Sequence, residues 1–80
     1  MFDQIKKILI DTIHVDDSLI SMNSDLKDDL EIDSLTKLEL ILEFENTYAI
    51  RIEDAELADL KTVADIVEII EKKLTAKQIS

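Results

Sequence analysis

The chain has 80 residues and contains no cysteine, glycine or proline, and its one histidine is His14. No disulfide and no thiolate zinc site can hold such a chain, and a single imidazole makes a metal-stabilised core implausible. A domain of this size is near the lower limit of independent stability. Apolar packing therefore has to supply nearly all of it. The supply is adequate, since 46% of the residues are hydrophobic. Only Phe2, Phe44 and Tyr48 are aromatic. Without Gly and Pro, the element boundaries have to be read from periodicity and caps.

Phe2, Ile5, Ile8, Leu9 and Ile13 recur at spacings of three and four, which predicts a helix over 2–13. Residues 14–32 break the pattern with Asp, Ser and Asn. That is long for a structureless loop, so Leu19, Met22, Leu26 and Leu30 are expected to pack back on the body, around a short helical turn. Asp33 and Ser34 can both cap a second helix over 34–48. Its expected stripe is Leu35, Leu38, Ile41, Leu42 and Glu45, widened by Leu40, Phe44 and Tyr48 into a broad inward face. Ala49 to Ile52 reads as a loop anchored by Ile50 or Ile52, and 54–59 as a short helix with Leu57 inward. Thr62 and Asp65 form a capping box for a last helix carrying Val63, Ile66, Val67, Ile70 and Leu74. That helix is expected to end near Leu74, leaving an ordered core over 2–75 and a frayed tail over 76–80. The fold class is all-α: one domain over 1–80, a small four-helix bundle of three longer helices and one short one.

Charge narrows the function. The net charge is −10, and residues 24–59 hold twelve Asp/Glu against three Lys/Arg. Such a field repels nucleic acid and anionic membranes and attracts partners with basic patches. The inventory suits an enzyme poorly: there is no Cys, no glycine-rich phosphate loop, one His and little chain to line a pocket. No apolar run is long enough for a signal peptide or a membrane span, so a cytoplasmic, monomeric carrier or adaptor is the expectation. Asp25, Asp28, Asp29, Glu31 and Asp33 lack the ligand spacing of a calcium loop, and no metal site is expected.

Ser34 is the candidate functional residue. By itself, Asp33-Ser34-Leu35 is an ordinary helix start. The longer run from Leu30 to Leu40, Leu-Glu-Ile-Asp-Ser-Leu-Thr-Lys-Leu-Glu-Leu, resembles the modification motif of the acyl carrier protein family. Leu42, Phe44-Glu45, Tyr48, Ile52 and Thr62-Val63 fall at family-like positions, so the resemblance spans essentially the whole chain.

The resemblance implies that Ser34 carries 4′-phosphopantetheine, taken from coenzyme A, whose thiol holds an acyl group. The positive end of the helix would favour the phosphodiester there. A separate phosphopantetheinyl transferase would bring the metal and base, with Asp33 assisting its recognition. Leu35, Glu39, Glu45, Glu53 and Asp54 would form the face read by acyl-handling enzymes. Leu38, Leu42, Ile52, Leu57 and Ile66 would line an apolar sleeve for the acyl chain, or otherwise simply form core.

Some positions depart from the family. Glu31 stands where a Gly is common, so either the loop entering the second helix is shaped differently or Glu31 carries a small backbone penalty. Thr36, Lys37 and Arg51 dilute the acidic face, and Glu53 replaces a common proline. These departures point to a specialised carrier, with fatty-acid, polyketide or other lipid cargo left open. The competing readings are a carrier of aminoacyl or peptidyl cargo and an unmodified acidic interaction domain in which Ser34 only caps.

Overall fold

The computed structural model describes residues 2–79; for residues 77–79 only the backbone is described. Helix α1 spans Phe2–Ile13, α2 Ser34–Tyr48, α3 Asp54–Leu57 and α4 Val63–Ile79. A 3₁₀ turn at Asp17–Leu19 lies in the long α1–α2 connection. The four helices and the absence of any strand among the described residues agree with the all-α expectation. The last helix ends later than expected: α4 runs past Leu74 to Ile79. No Gly or Pro stands after Leu74 to stop it, and Thr75 to Ile79 can continue the backbone ladder. Ser80, the last residue of the expected 76–80 tail, lies outside the described residues.

Helix α1 buries Ile5 and Leu9, with Phe2, Ile8, Ile10 and Ile13 half-buried beside them. Its stripe is the one the spacing predicts. Tyr48 at the end of α2 donates its hydroxyl to Gln4 Oε1 near the start of α1, 3.1 Å away. The two helices are thereby antiparallel. Helix α4 contributes Val63, Ile66, Val67 and Ile70, all buried, with Leu74 half-buried.

The face of α2 differs from the expectation. Leu40, Ile41 and Phe44 are its buried residues, whereas Leu35, Leu38 and Leu42 are 66%, 46% and 50% exposed. The helix carries more leucines than one face can hold. The α1 and α4 stripes meet the Leu40, Ile41, Phe44 side, and the Leu35, Leu38, Leu42 row at i, i+3 and i+7 is left on the surface.

The long connection is tied down by polar bonds and by a different apolar set. Leu26, Leu30, Ile20 and Ile32 are buried, but Leu19 and Met22 stay exposed, contrary to expectation. Ser24 explains this exchange. Its buried hydroxyl donates to the Leu19 carbonyl at 2.9 Å and accepts the Ser21 N–H at 2.9 Å, closing a turn that turns Ile20 inward. The connection then pairs with the start of α4: Leu26 N–H donates to Lys61 O, Val63 N–H to Ser24 O and Ala64 N–H to Met22 O, at 2.9–3.1 Å. Thr62 and Asp65 form the expected box, with Thr62 N–H on Asp65 Oδ2 at 3.1 Å and Asp65 N–H on Thr62 Oγ1 at 3.3 Å. Ile52 is buried and Ile50 half-buried, so Ile52 is the anchor of the α2–α3 loop.

Turns in a glycine-free chain fall on residues with a Cβ. His14 after α1, Glu31 before α2 and Ala49 after α2 have φ of 56°, 54° and 53°. In that left-handed region Cβ crowds the backbone, at about 1–2 kcal/mol per residue. The penalty expected at Glu31 is present.

Candidate functional site

Ser34 is the first residue of α2, and its position follows from the residue before it. Asp33 has extended backbone angles and its Oδ1 accepts the Thr36 N–H at 2.8 Å. Asp33 alone is the cap, so the Ser34 hydroxyl is not used for capping. Among the described residues it makes no hydrogen bond, and it is exposed. The Thr36 N–H, with the Thr36 hydroxyl, holds the Asp33 carboxyl below its ordinary value. A negative charge therefore stays beside Ser34 through the neutral range.

The loop before Ser34 is built by carboxylates turned onto the backbone. Asp25 Oδ1 accepts the N–H groups of Lys27 and Asp28, each at 2.9 Å, and Asp29 Oδ2 accepts the Asp25 N–H at 2.7 Å. The Asp28 and Lys27 N–H groups hold the Asp25 carboxyl below its ordinary value. Ile32 N–H returns to Leu26 O at 2.8 Å, and the buried Ile32 presses the segment onto the core next to Ser34. Open clefts adjoin the serine, one of about 470 Å³ bordered by Lys27, Glu31, Ile32 and Asp33.

Asp-Ser-Leu occurs twice in the chain, at 17–19 and at 33–35. The first copy makes a three-residue 3₁₀ turn in which Ser18 N–H donates to Asp16 Oδ1 at 3.3 Å. The second opens a helix of fifteen residues. Composition cannot separate the two. The apolar periodicity after Ser34, missing after Ser18, can.

The expected partner-face residues divide. Leu35, Glu39, Glu53 and Asp54 are exposed. Glu45 is half-buried, and its Oε2 accepts the Ile52 N–H at 2.9 Å, so it fastens the α2–α3 loop. The acidic dilution also looks different in three dimensions. Arg51 Nε pairs with Glu53 Oε1 at 3.3 Å, both well exposed, while Lys37 Nζ turns away from the helix surface to donate to Leu60 O at 2.8 Å.

The five candidate sleeve residues divide between core and surface. Ile52 and Ile66 are in the core, Leu57 is half-buried against it, and Leu38 and Leu42 are on the surface. No helix among the described residues is long and apolar enough to cross a membrane, and no cluster of potential ligands that could hold a metal ion is found among them.

Self-repulsion follows from nineteen acidic residues on a body this small. Raising NaCl from low ionic strength, or adding millimolar magnesium, is expected to raise the melting temperature. Relief of about 1 kcal/mol of repulsion corresponds to roughly 4–8 °C. A melting temperature unchanged across the titration contradicts this.

Fold and site together define a small helical carrier domain, and solved structures agree. The crystal structure of the acyl carrier protein from Thermotoga maritima superposes with a TM-score of 0.81 at 28% identity, covering 98% of this chain and 88% of that one. In sequence, an acyl carrier protein from Coprothermobacter proteolyticus is 42% identical over 96% of this chain and 94% of its own. One from Thermotoga maritima is 39% identical over 92% and 91%. The family model described as the phosphopantetheine attachment site matches residues 3–70. The chain belongs to this phosphopantetheine-attachment family, as an acyl carrier protein. Its prosthetic group is 4′-phosphopantetheine, and it carries rather than catalyses.

Proposed function

We propose that Ser34 is the attachment residue and that the chain carries acyl groups for fatty-acid or related lipid synthesis. The observation that supports this most is the free, exposed hydroxyl of Ser34 at the first position of the long α2, left unengaged because Asp33 does the capping. The surroundings fit the prosthetic group: open clefts flank the serine, and the positive end of α2 favours a phosphodiester. When bound, the group supplies a thiol that holds the acyl cargo as a thioester.

The chain's own residues divide the remaining work. Asp33 fixes the backbone at Ser34 and keeps a carboxylate there for a transferase and its magnesium. Leu35, Leu38 and Leu42 form an exposed apolar row on α2 with the exposed Glu39 on the same helix, and Glu53 and Asp54 add exposed carboxylates at the start of α3. That row suits partner enzymes that pair an apolar recess with basic residues, and the long-range field speeds their encounter. Leu38 and Leu42 thus move from the sleeve to the docking face. Room for an acyl chain is left to Ile52, Leu57 and Ile66, which share one apolar cluster that a chain would have to part. The protein acts as a cytoplasmic monomer in this reading. Incubation with coenzyme A, magnesium and a broad-specificity transferase tests it. Intact mass should rise by one phosphopantetheine, and a chain that gains nothing sinks the reading.

A further inference from the structure

Residues 24–61 contain twelve acidic and four basic side chains. Three of those four, Lys27, Lys37 and Lys61, border the same open cavity of about 430 Å³, which Ser34 also borders. Asp25, Asp28 and Asp33 share its wall. Two of these carboxylates are engaged by backbone N–H groups, Asp25 by Lys27 and Asp28, and Asp33 by Thr36. Lys27 and Lys61 add to the charges that hold the Asp25 carboxyl below its ordinary value, and neither ammonium closes an ion pair among the described residues.

Lys37 stands out among them. It follows Ser34 by three residues on α2, so the two share one helix face. It is half-buried, and its Nζ is held by the Leu60 carbonyl at 2.8 Å, across the gap between α2 and the α3–α4 link. A lysine ammonium has three N–H donors. Leu60 takes one of them, and no other protein acceptor is found for Nζ among the described residues. The side chain is thus already fixed, with donor capacity left, beside the serine.

We propose that Lys37 is a positioning residue for the group attached at Ser34, offering a charge-assisted hydrogen bond to its phosphodiester while keeping Leu60 on another N–H. This rests on Ser34 being the attachment residue. Lys27 and Lys61 keep the cavity favourable for the anion and offset the Asp33 carboxylate. The bond ties the root of the arm to the α3–α4 link, so loading stabilises the fold through Lys37.

The test compares melting temperatures of the unloaded and loaded forms of wild type, Lys37→Met and Lys37→Arg at low ionic strength, with loading verified by intact mass. Loading is expected to raise the wild-type melting temperature by roughly 4 °C. Lys37→Arg should keep most of that increment and Lys37→Met should lose it. A purely structural Lys37 would lower both forms of Lys37→Met alike and leave the increment intact, which overturns the proposal. The ¹⁵Nζ resonance of Lys37 in wild type gives a second measurement that needs no variant. It should move on loading, and an unmoved resonance in a fully loaded sample also overturns it. A wild type that gains no mass overturns the Ser34 reading and this inference together, whereas loading with an equal increment in Lys37→Met overturns this inference alone.

Discussion

Phe44→Ala should lower the unfolding free energy by about 3–5 kcal/mol, much of what a domain of this size possesses. Phe44 is fully buried in the middle of α2 and heads the large side chains that are completely enclosed. Truncating it removes apolar area and leaves a cavity that Ile5, Leu9, Ile66 and Ile70, all fully buried, can only partly refill. No disulfide offsets the loss. Leu38→Ala supplies the contrast, since Leu38 is 46% exposed on the same helix. Its cost should be within about 0.5 kcal/mol of zero, as for an ordinary surface change. Urea denaturation of both variants measures the difference. Equal losses would show that the inward face of α2 has been assigned wrongly.

The second large effect runs the other way. His14→Gly, Glu31→Gly and Ala49→Gly together should raise the unfolding free energy by about 1.5–3 kcal/mol. Each position has φ between 53° and 56°. Relief of about 1–2 kcal/mol of left-handed strain at each site is partly offset by about 0.5–1 kcal/mol of extra chain entropy in the unfolded state. His14 and Glu31 stand at the two ends of the α1–α2 connection and Ala49 follows α2, so the effect of Ala49→Gly should add to that of the other two measured as a pair. Thermal melts should show a rise on the order of 10 °C. Any fall in melting temperature would mean that contacts of the native side chains outweigh the backbone strain. Loading of the triple variant also separates fold from function, because Glu31 borders the cleft beside Ser34.

Helix positions were legible in the sequence where one stripe had one choice of face. Helix α1 shows a single row of Ile and Leu, and α4 begins with a Thr-Asp box followed by Val63, Ile66, Val67 and Ile70. Helix α2 carried two apolar rows, and periodicity alone could not say which would be buried. Only the packing of α1 and α4 decides in favour of Leu40, Ile41 and Phe44. The same ambiguity extends to Leu38 and Leu42, which the sleeve reading counts among its lining and which stand on the surface of the unloaded chain. In the long connection, hydropathy favoured Leu19 and Met22, but the Ser24 hydroxyl closed a turn that buried Ile20 instead. A serine acting through its backbone partners leaves no hydropathic signal.

At the site, the cap at Asp33 and the helix start at Ser34 were legible because a short polar side chain before a periodic run has one economical use. Glu45 and Lys37 were not. Lys37 read as a surface charge and Glu45 as a stripe position that also belonged to the acidic face, and each reaches a backbone group beyond α2, Ile52 N–H for Glu45 and the Leu60 carbonyl for Lys37. Long flexible side chains can choose such partners only once the fold has brought them near.

The repeated Asp-Ser-Leu makes the decisive measurement simple. Wild type, Ser34→Ala and Ser18→Ala are each incubated with coenzyme A, magnesium and a broad-specificity transferase, and their intact masses are compared. Ser18 provides the same tripeptide in a 3₁₀ turn, whereas Ser34 presents it at the start of a long helix. Wild type and Ser18→Ala should each gain one phosphopantetheine, and Ser34→Ala should gain none while keeping its helical fold. A Ser34→Ala chain that loads as readily as wild type would contradict the assignment of Ser34.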